Sequence, residues 1–504
     1  MDRIKEIFLY HEDSPMLFSS LFFWGFFAVV LLGFAFVYKK HWLRNVYLLI
    51  FSLFFYYKSG GYFFSLLIFT TVVDYLVGFG LGATQKQINR KILILISVAA
   101  NLSVLAYFKY SYFFIDITNQ IFGTDFKVVN LLAEWTNSLS GAGFDVSTII
   151  LPVGISFYTF QSMSYTIDVY RRKLAPVKSI IDFGFFVTFF PQLVAGPIVR
   201  ASEFIPQLYL DYKLTKREFG YALFLILNGL IKKMIISNYI SMNFVDRVFD
   251  NPMAYSGFEN MMGVYGYALQ IYCDFSGYTD IAIGVGLLLG FKLPINFNSP
   301  YKAVNITDFW RRWHISLSTW LRDYLYFTLG GNRKGKILRY INLLITMILG
   351  GLWHGANYRF IIWGAIHGVT LAFHKLWLEI FKKKKNGNFF TRIAGVFITF
   401  NIVCFSWIFF RAHNMKAVNE MLSQITNSFG LTLIPEIVRS YWIVFTILFA
   451  GFFIHWLPAT FKEKYRGWFI ETPMWLKVLI TVVVVIIIIQ AKSSNVQPFI
   501  YFQF

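Results

Sequence analysis

Long stretches almost free of charge, at residues 17–37, 62–81, 92–108 and 478–489, limit this chain more than any other feature. A helix that spans a bilayer needs roughly 20 mostly apolar residues, with ~17 as the lower end. The last stretch reaches that length only with Trp475 and Leu476. Lipid offers no hydrogen bonds, so such segments must satisfy their own backbone, and helices do this within one segment. Only 14% of the 504 residues are charged, against about 25% in ordinary soluble domains. No polar stretch is long enough to bury a core of its own. Windows of this kind predict an all-α, polytopic membrane protein with about eleven crossings.

The formal charge of +20 raises nucleic acid as a partner, but its distribution speaks against that. Cytoplasmic loops of membrane proteins concentrate Lys and Arg. Lys39, Lys40 and Arg44 form one cluster; Lys86, Arg90 and Lys91 a second; Arg171, Arg172, Lys173 and Lys178 a third. Between the second and third, residues 111–147 carry Asp116, Asp125, Glu134 and Asp145 against Lys127 alone. The expected topology has the N-terminus and this acidic segment outside and the basic loops in the cytoplasm. The first apolar stretch reads as a span rather than a cleaved leader. Cys273 and Cys404 lie in apolar segments, which argues against a disulfide framework or a zinc site. The many Phe, Tyr and Trp residues fit aromatic belts at the two interfaces.

The chain reads as a single membrane domain, residues 1–504, with three zones. Residues 1–110 and 390–504 are simple apolar helices. Residues 150–375 differ, because Pro, Gly and polar side chains interrupt every apolar run there. Broken, polar helices at membrane depth are tolerated only against protein or a wet cavity. An ionisable group there costs about 2.5–3.5 kcal/mol on insertion scales, so it usually marks a site. No internal repeat of the transporter kind is evident.

Residues 305–330, NITDFWRRWHISLSTWLRDYLYFTLG, place Phe309, Trp310, Trp313, Leu317, Trp320, Leu321 and Tyr324 three and four apart. This stripe predicts an interfacial or re-entrant helix, with Asn305 or Thr307 as its cap. A helix that merely anchors the chain fits the spacing equally well. Of the eight histidines, His11, His41, His413 and His455 are read as interfacial. His367 and His374 stand seven apart on one helix, but no acid lies near them to complete a metal site. No metal is expected. His354 sits among glycines in MILGGLWHGANYRF (347–360). An imidazole, with its unperturbed pKa of ~6.5, moves protons readily; an interhelical hydrogen bond would explain the same residue. His314, in RRWHISLS, is a second candidate on a separate element.

The runs FWRRWHISLSTWLRDYLYFTLGGNR (309–333) and GGLWHGANYRFIIWGAIHG (350–368) resemble the signature of the membrane-bound O-acyltransferases. The branch concerned with alginate O-acetylation is the most similar. PVGISFYTFQSMSYTIDVYRR (152–172), PQLVAGPIVR (191–200), YCDFSGYTDIAIGVGLLLGFKLPINFNSPY (272–301) and PFIYFQF (498–504) match it too. The resemblance implies a ring of helices, with re-entrant segments, around a thin centre crossed by a tunnel. The family's catalytic histidine falls on His354 and its second polar position on His314. Trp310, Arg311, Arg312, Trp313, Trp353 and Asn357, in the same runs, become substrate-binding candidates. Arg311, Arg312, Arg333 and Lys334 form a basic entrance suited to the phosphates of coenzyme A.

The implied activity is transfer of an acetyl group from cytoplasmic acetyl-CoA across a bacterial inner membrane, for O-acetylation of an alginate-like extracellular polysaccharide. No bound cofactor is implied. Membrane lipids and a periplasmic or extracellular acetyltransferase are the implied partners. In this scheme His354 takes the acceptor hydroxyl's proton. His314 bonds the thioester carbonyl or the acceptor, or fixes the tautomer of His354. D-alanyl transfer to teichoic acid or peptidoglycan O-acetylation are the same chemistry with another cargo. A lipid-linked sugar transporter would also use polar helices, but it leaves both histidine motifs unexplained.

Overall fold

A computed structural model of the chain describes residues 8–11, 15–141, 143–194, 196–333, 335–381 and 388–491. Lys334 and the closing motif at 498–504 lie outside them. The described residues are helical, with no strand among them. The first helices are α1 (Leu21–Val37), α2 (His41–Gly60), α3 (Phe64–Ala83) and α4 (Gln87–Phe122). The central zone holds α5 (Ile155–Tyr170), α6 (Ile180–Thr188), α7 (Lys216–Leu230) and α8 (Gly257–Leu288). Two short helices follow, α9 (Ile306–Trp310) and α10 (Ile315–Trp320), then α11 (Lys336–His354) and α12 (Tyr358–Ile380). The last part contributes α13 (Phe389–Arg411), α14 (Trp442–Trp456), α15 (Ala459–Glu471) and α16 (Met474–Ala491).

Six helical runs are long and apolar enough to cross a membrane, or eight if each of two sharply bent pairs counts as one span. That count takes residues 41–83 as one run. Leu49 and Thr71 both approach Gly184, however, so the chain turns back between α2 and α3. The second arm, the shorter α1 and the buried α8 are further helices outside that count. Composition alone passes over α8 because it is buried among other helices and has no need to be apolar on every face.

Polar residues inside the fold find partners across helices. Asp74 on α3 is fully buried. Ser97 Oγ donates to one of its oxygens (2.5 Å) and Ser162 Oγ to the other. Asn101 Nδ2 reaches both, at 3.1 and 2.9 Å. This carboxylate therefore ties α3, α4 and α5 together. On α8, Asp280 accepts from Lys232 (2.7 Å) and Asn228 (2.8 Å), and Asp274 pairs with Lys233. The two lysines lie in a π-helical stretch, Ile231–Ser237, that continues α7. A Cβ at Gly229 would stand 2.4 Å from the Gly277 carbonyl. Glycine is needed there because the α7 and α8 backbones nearly touch.

The Lys233–Asp274 pair yields a stability prediction. Lys233→Met leaves a buried carboxylate without its cation and is expected to cost about 3–5 kcal/mol. The loss will appear as a lower unfolding midpoint in detergent, and adding Asp274→Leu should restore most of it. A single variant as stable as wild type would contradict this account.

Candidate active site

α11 ends at His354, where Gly355 turns the chain into an extended cap. The glycines around it serve the neighbouring helix. A Cβ at Gly351 would lie 2.1 Å from the Phe360 carbonyl, and one at Gly364 would lie 2.3 Å from that of Met347. The GGLWHG run thus lets α11 and α12 cross in contact, which fixes where the imidazole emerges.

The last carbonyls of α11 have no partner within the helix, and α4 supplies one for each. Tyr110 Oη donates to Leu352 O (2.7 Å). Lys109 Nζ donates to Trp353 O (2.7 Å) and His354 O (3.0 Å). A cation at this position also complements the negative end of the helix dipole.

The His354 ring is 3% exposed, edged by Trp353, Trp363 and Phe410 at centroid distances of 5.0, 5.1 and 5.2 Å. It lines a cavity with Lys109, Pro152, Gly154, Ser156 and Trp353. The cavity lies at the end of the fold that carries the acidic segment 111–147, since Lys109 precedes that segment and Leu151 follows it.

His314 is fully buried and stands outside that cavity's wall. The helix expected over 305–330 is interrupted at this residue. Asn305 does cap the start, accepting from Asp308 N (2.9 Å). At His314 the backbone then turns left-handed (φ 43°) before α10 begins. A non-glycine residue in that region is strained, and such strain gathers at functional positions. Asn296 Oδ1 accepts from the backbone N–H and the hydroxyl of Ser316 (3.1 and 3.0 Å), so it is the carbonyl oxygen that faces His314 Nδ1 at 3.1 Å. Nδ1 of His314 must therefore carry the proton, which leaves Nε2 with a lone pair. In its neutral form this imidazole accepts a hydrogen bond at Nε2; it has no proton there to offer a thioester carbonyl. Trp353 touches both histidines, with its ring 6.1 Å from His314, and its Nε1 donates to Ser156 O (3.3 Å).

The other candidates are placed as follows. Trp310 packs on Trp363 and His367, and Trp313 is buried against Phe297 and Trp407. Arg312 pairs with Asp308 (3.0 Å), while Arg311 and Arg333 are exposed. None of these lines the His354 cavity. Asn357 is exposed and caps α12, accepting from Arg359 N (3.1 Å). His367 bonds Ser406 and His374 bonds Thr307, both at 2.9 Å. Among the described residues no cluster of His, Cys, Asp or Glu suits a metal. His455 is not interfacial: it is buried and accepts from Tyr301 N (3.2 Å). Sequence reading missed Lys109, Tyr110 and Asn296. Lys109 carried a signal, being a lone cation at the edge of an apolar span.

A helical membrane protein with a cavity-lining imidazole among polar broken helices has the architecture of a membrane-embedded acyltransferase. Residues 171–412 match the model of MBOAT, the membrane-bound O-acyltransferase family. A probable alginate O-acetylase from Pseudomonas putida is 36% identical over 97% of this chain and all of its own length. The peptidoglycan O-acetyltransferase of Helicobacter pylori is 37% identical over 82% of this chain and 80% of its own. The teichoic acid D-alanyltransferase of Bacillus subtilis is 32% identical over 51% and 68%. The chain belongs to the membrane-bound O-acyltransferase family, and it is an O-acyltransferase, as its motifs implied.

Asn296→Ala releases the His314 tautomer and is expected to lower the transfer rate about 10- to 100-fold, below the ceiling of general-base help. Asn296→Asp keeps an acceptor oxygen and should retain most activity. Equal rates for Asn296→Ala and wild type would show that the tautomer is irrelevant.

Proposed function

We propose that this protein moves an acetyl group from cytoplasmic acetyl-CoA across the bacterial inner membrane, for O-acetylation of an extracellular, alginate-like polysaccharide. The N-terminus and the acidic segment face outward, as the basic clusters argue. The reading is carried by His354, which closes a helix at the wall of a cavity beside that outward segment. An acceptor hydroxyl in the cavity gives its proton to His354 as its oxygen attacks the thioester carbonyl. The tetrahedral centre collapses and the C–S bond breaks as His354 gives that proton to the sulfur, so the thiol leaves on the cytoplasmic side and the imidazole is neutral again. His314, with its lone pair at Nε2, acts as a second acceptor rather than as a carbonyl donor. Arg311 and Arg333 remain candidates for the donor's phosphates, since both are exposed. The outer acceptor belongs to a partner acetyltransferase or to the polymer itself.

The Helicobacter relative supports a second reading, O-acetylation of peptidoglycan by the same steps. The acceptor that gains the ester distinguishes the two.

His354→Ala is expected to abolish O-acetylation while the protein stays folded in the membrane. Ester content of the exported polymer, read beside the amount of membrane-extracted protein, checks this. Acetylation at wild-type level would remove His354 from its role.

A further inference from the structure

Lys109 is the cation in the wall of the His354 cavity; the other residues that line it are apolar or neutral, apart from the imidazole. Two of its three N–H donors are spent on the Trp353 and His354 carbonyls. Among the described residues it forms no ion pair with any carboxylate. Lys232 and Lys233 each have an aspartate, whereas Lys58, Arg90, Arg359 and Lys477 are held, like Lys109, by backbone carbonyls with no ion pair among the described residues; Lys109 differs from these in lining the His354 cavity. Burying a cation is costly unless hydrogen-bond acceptors, water or an anion meet it. Here the helix end offers only partial negative charge, and these carbonyls take two of the three N–H groups of a side chain that lines the cavity.

We infer that Lys109 makes this cavity a site for an acceptor whose hydroxyl lies next to an anionic group, a carboxylate or a phosphate. The ammonium would hold that anion about one hydrogen bond from the backbone of the residue that carries the base, so charge recognition and hydroxyl placement share one anchor. The inference rests on the cavity being the acceptor's side of the reaction; recognition of the anion itself needs no proton transfer by His354.

Binding to the purified full-length protein in detergent tests it. The probes are a uronic-acid oligosaccharide, the same oligosaccharide with its carboxyls reduced to alcohols, and glycerol phosphate. Wild type is expected to bind at least one anionic probe about tenfold more tightly than the neutral one. The two anionic probes separate carboxylate from phosphate. Lys109→Gln should erase the preference and Lys109→Arg should keep it. His354→Ala should also keep it while losing transfer, so failure of the base assignment and failure of this inference give different results. Equal binding of anionic and neutral probes by wild type would overturn the proposal without any variant. A preference that survives in folded Lys109→Gln would overturn it as well.

Discussion

Three carbonyl oxygens at the end of α11 set the terms for the rest of the site. A helix that stops inside a bilayer leaves carbonyls without partners, and lipid provides none. Tyr110 and Lys109, adjacent on α4, take up Leu352, Trp353 and His354 in turn. The end of α11 is therefore satisfied by protein groups, and its last side chain is the imidazole at the cavity wall. The glycine contacts with α12 fix the same end from the other side. Placing a histidine at the end of a terminated helix gives it access to a cavity while its backbone stays rigid.

The broken central helices follow from the same constraint. Polar groups buried between helices bond across them, both in the first zone and in the centre: Asp74 with Ser97, Asn101 and Ser162, and Asp280 with Lys232 and Asn228. Such bonds join helices that water-driven burial cannot hold together inside lipid. The strained turn at His314 belongs to this set. Asn296 holds it through three contacts, and the resulting tautomer narrows what the residue is able to do.

Much of this was legible in the sequence, and the part that was not has a physical reason. Apolar run lengths gave the helical, membrane-spanning class, because bilayer thickness is a length requirement. The two histidine runs pointed to His354 and His314 through family resemblance, and Asn305 capped where its spacing said it would. Lys109 stood out locally as a lone cation beside an apolar run, but its role and that of Asn296 depend on contacts 244 and 18 residues away along the chain, which local spacing does not encode. The stripe over 305–330 looked like one helix because side-chain spacing does not report a left-handed residue in its middle. His455 was read as interfacial from its place near the end of an apolar run, yet it is sealed by the loop that carries Tyr301.

The central claim is that the chain carries an acyl group from one face of the membrane to a hydroxyl at the other, through the His354 cavity. Sealed vesicles with the protein in one orientation test it most directly, with acetyl-labelled thioester confined to the face bearing the basic clusters and the acceptor added only at the opposite face. The account predicts labelled ester on the opposite side at a rate that tracks the amount of correctly oriented protein. Label that reaches an acceptor only when donor and acceptor share a face would contradict it.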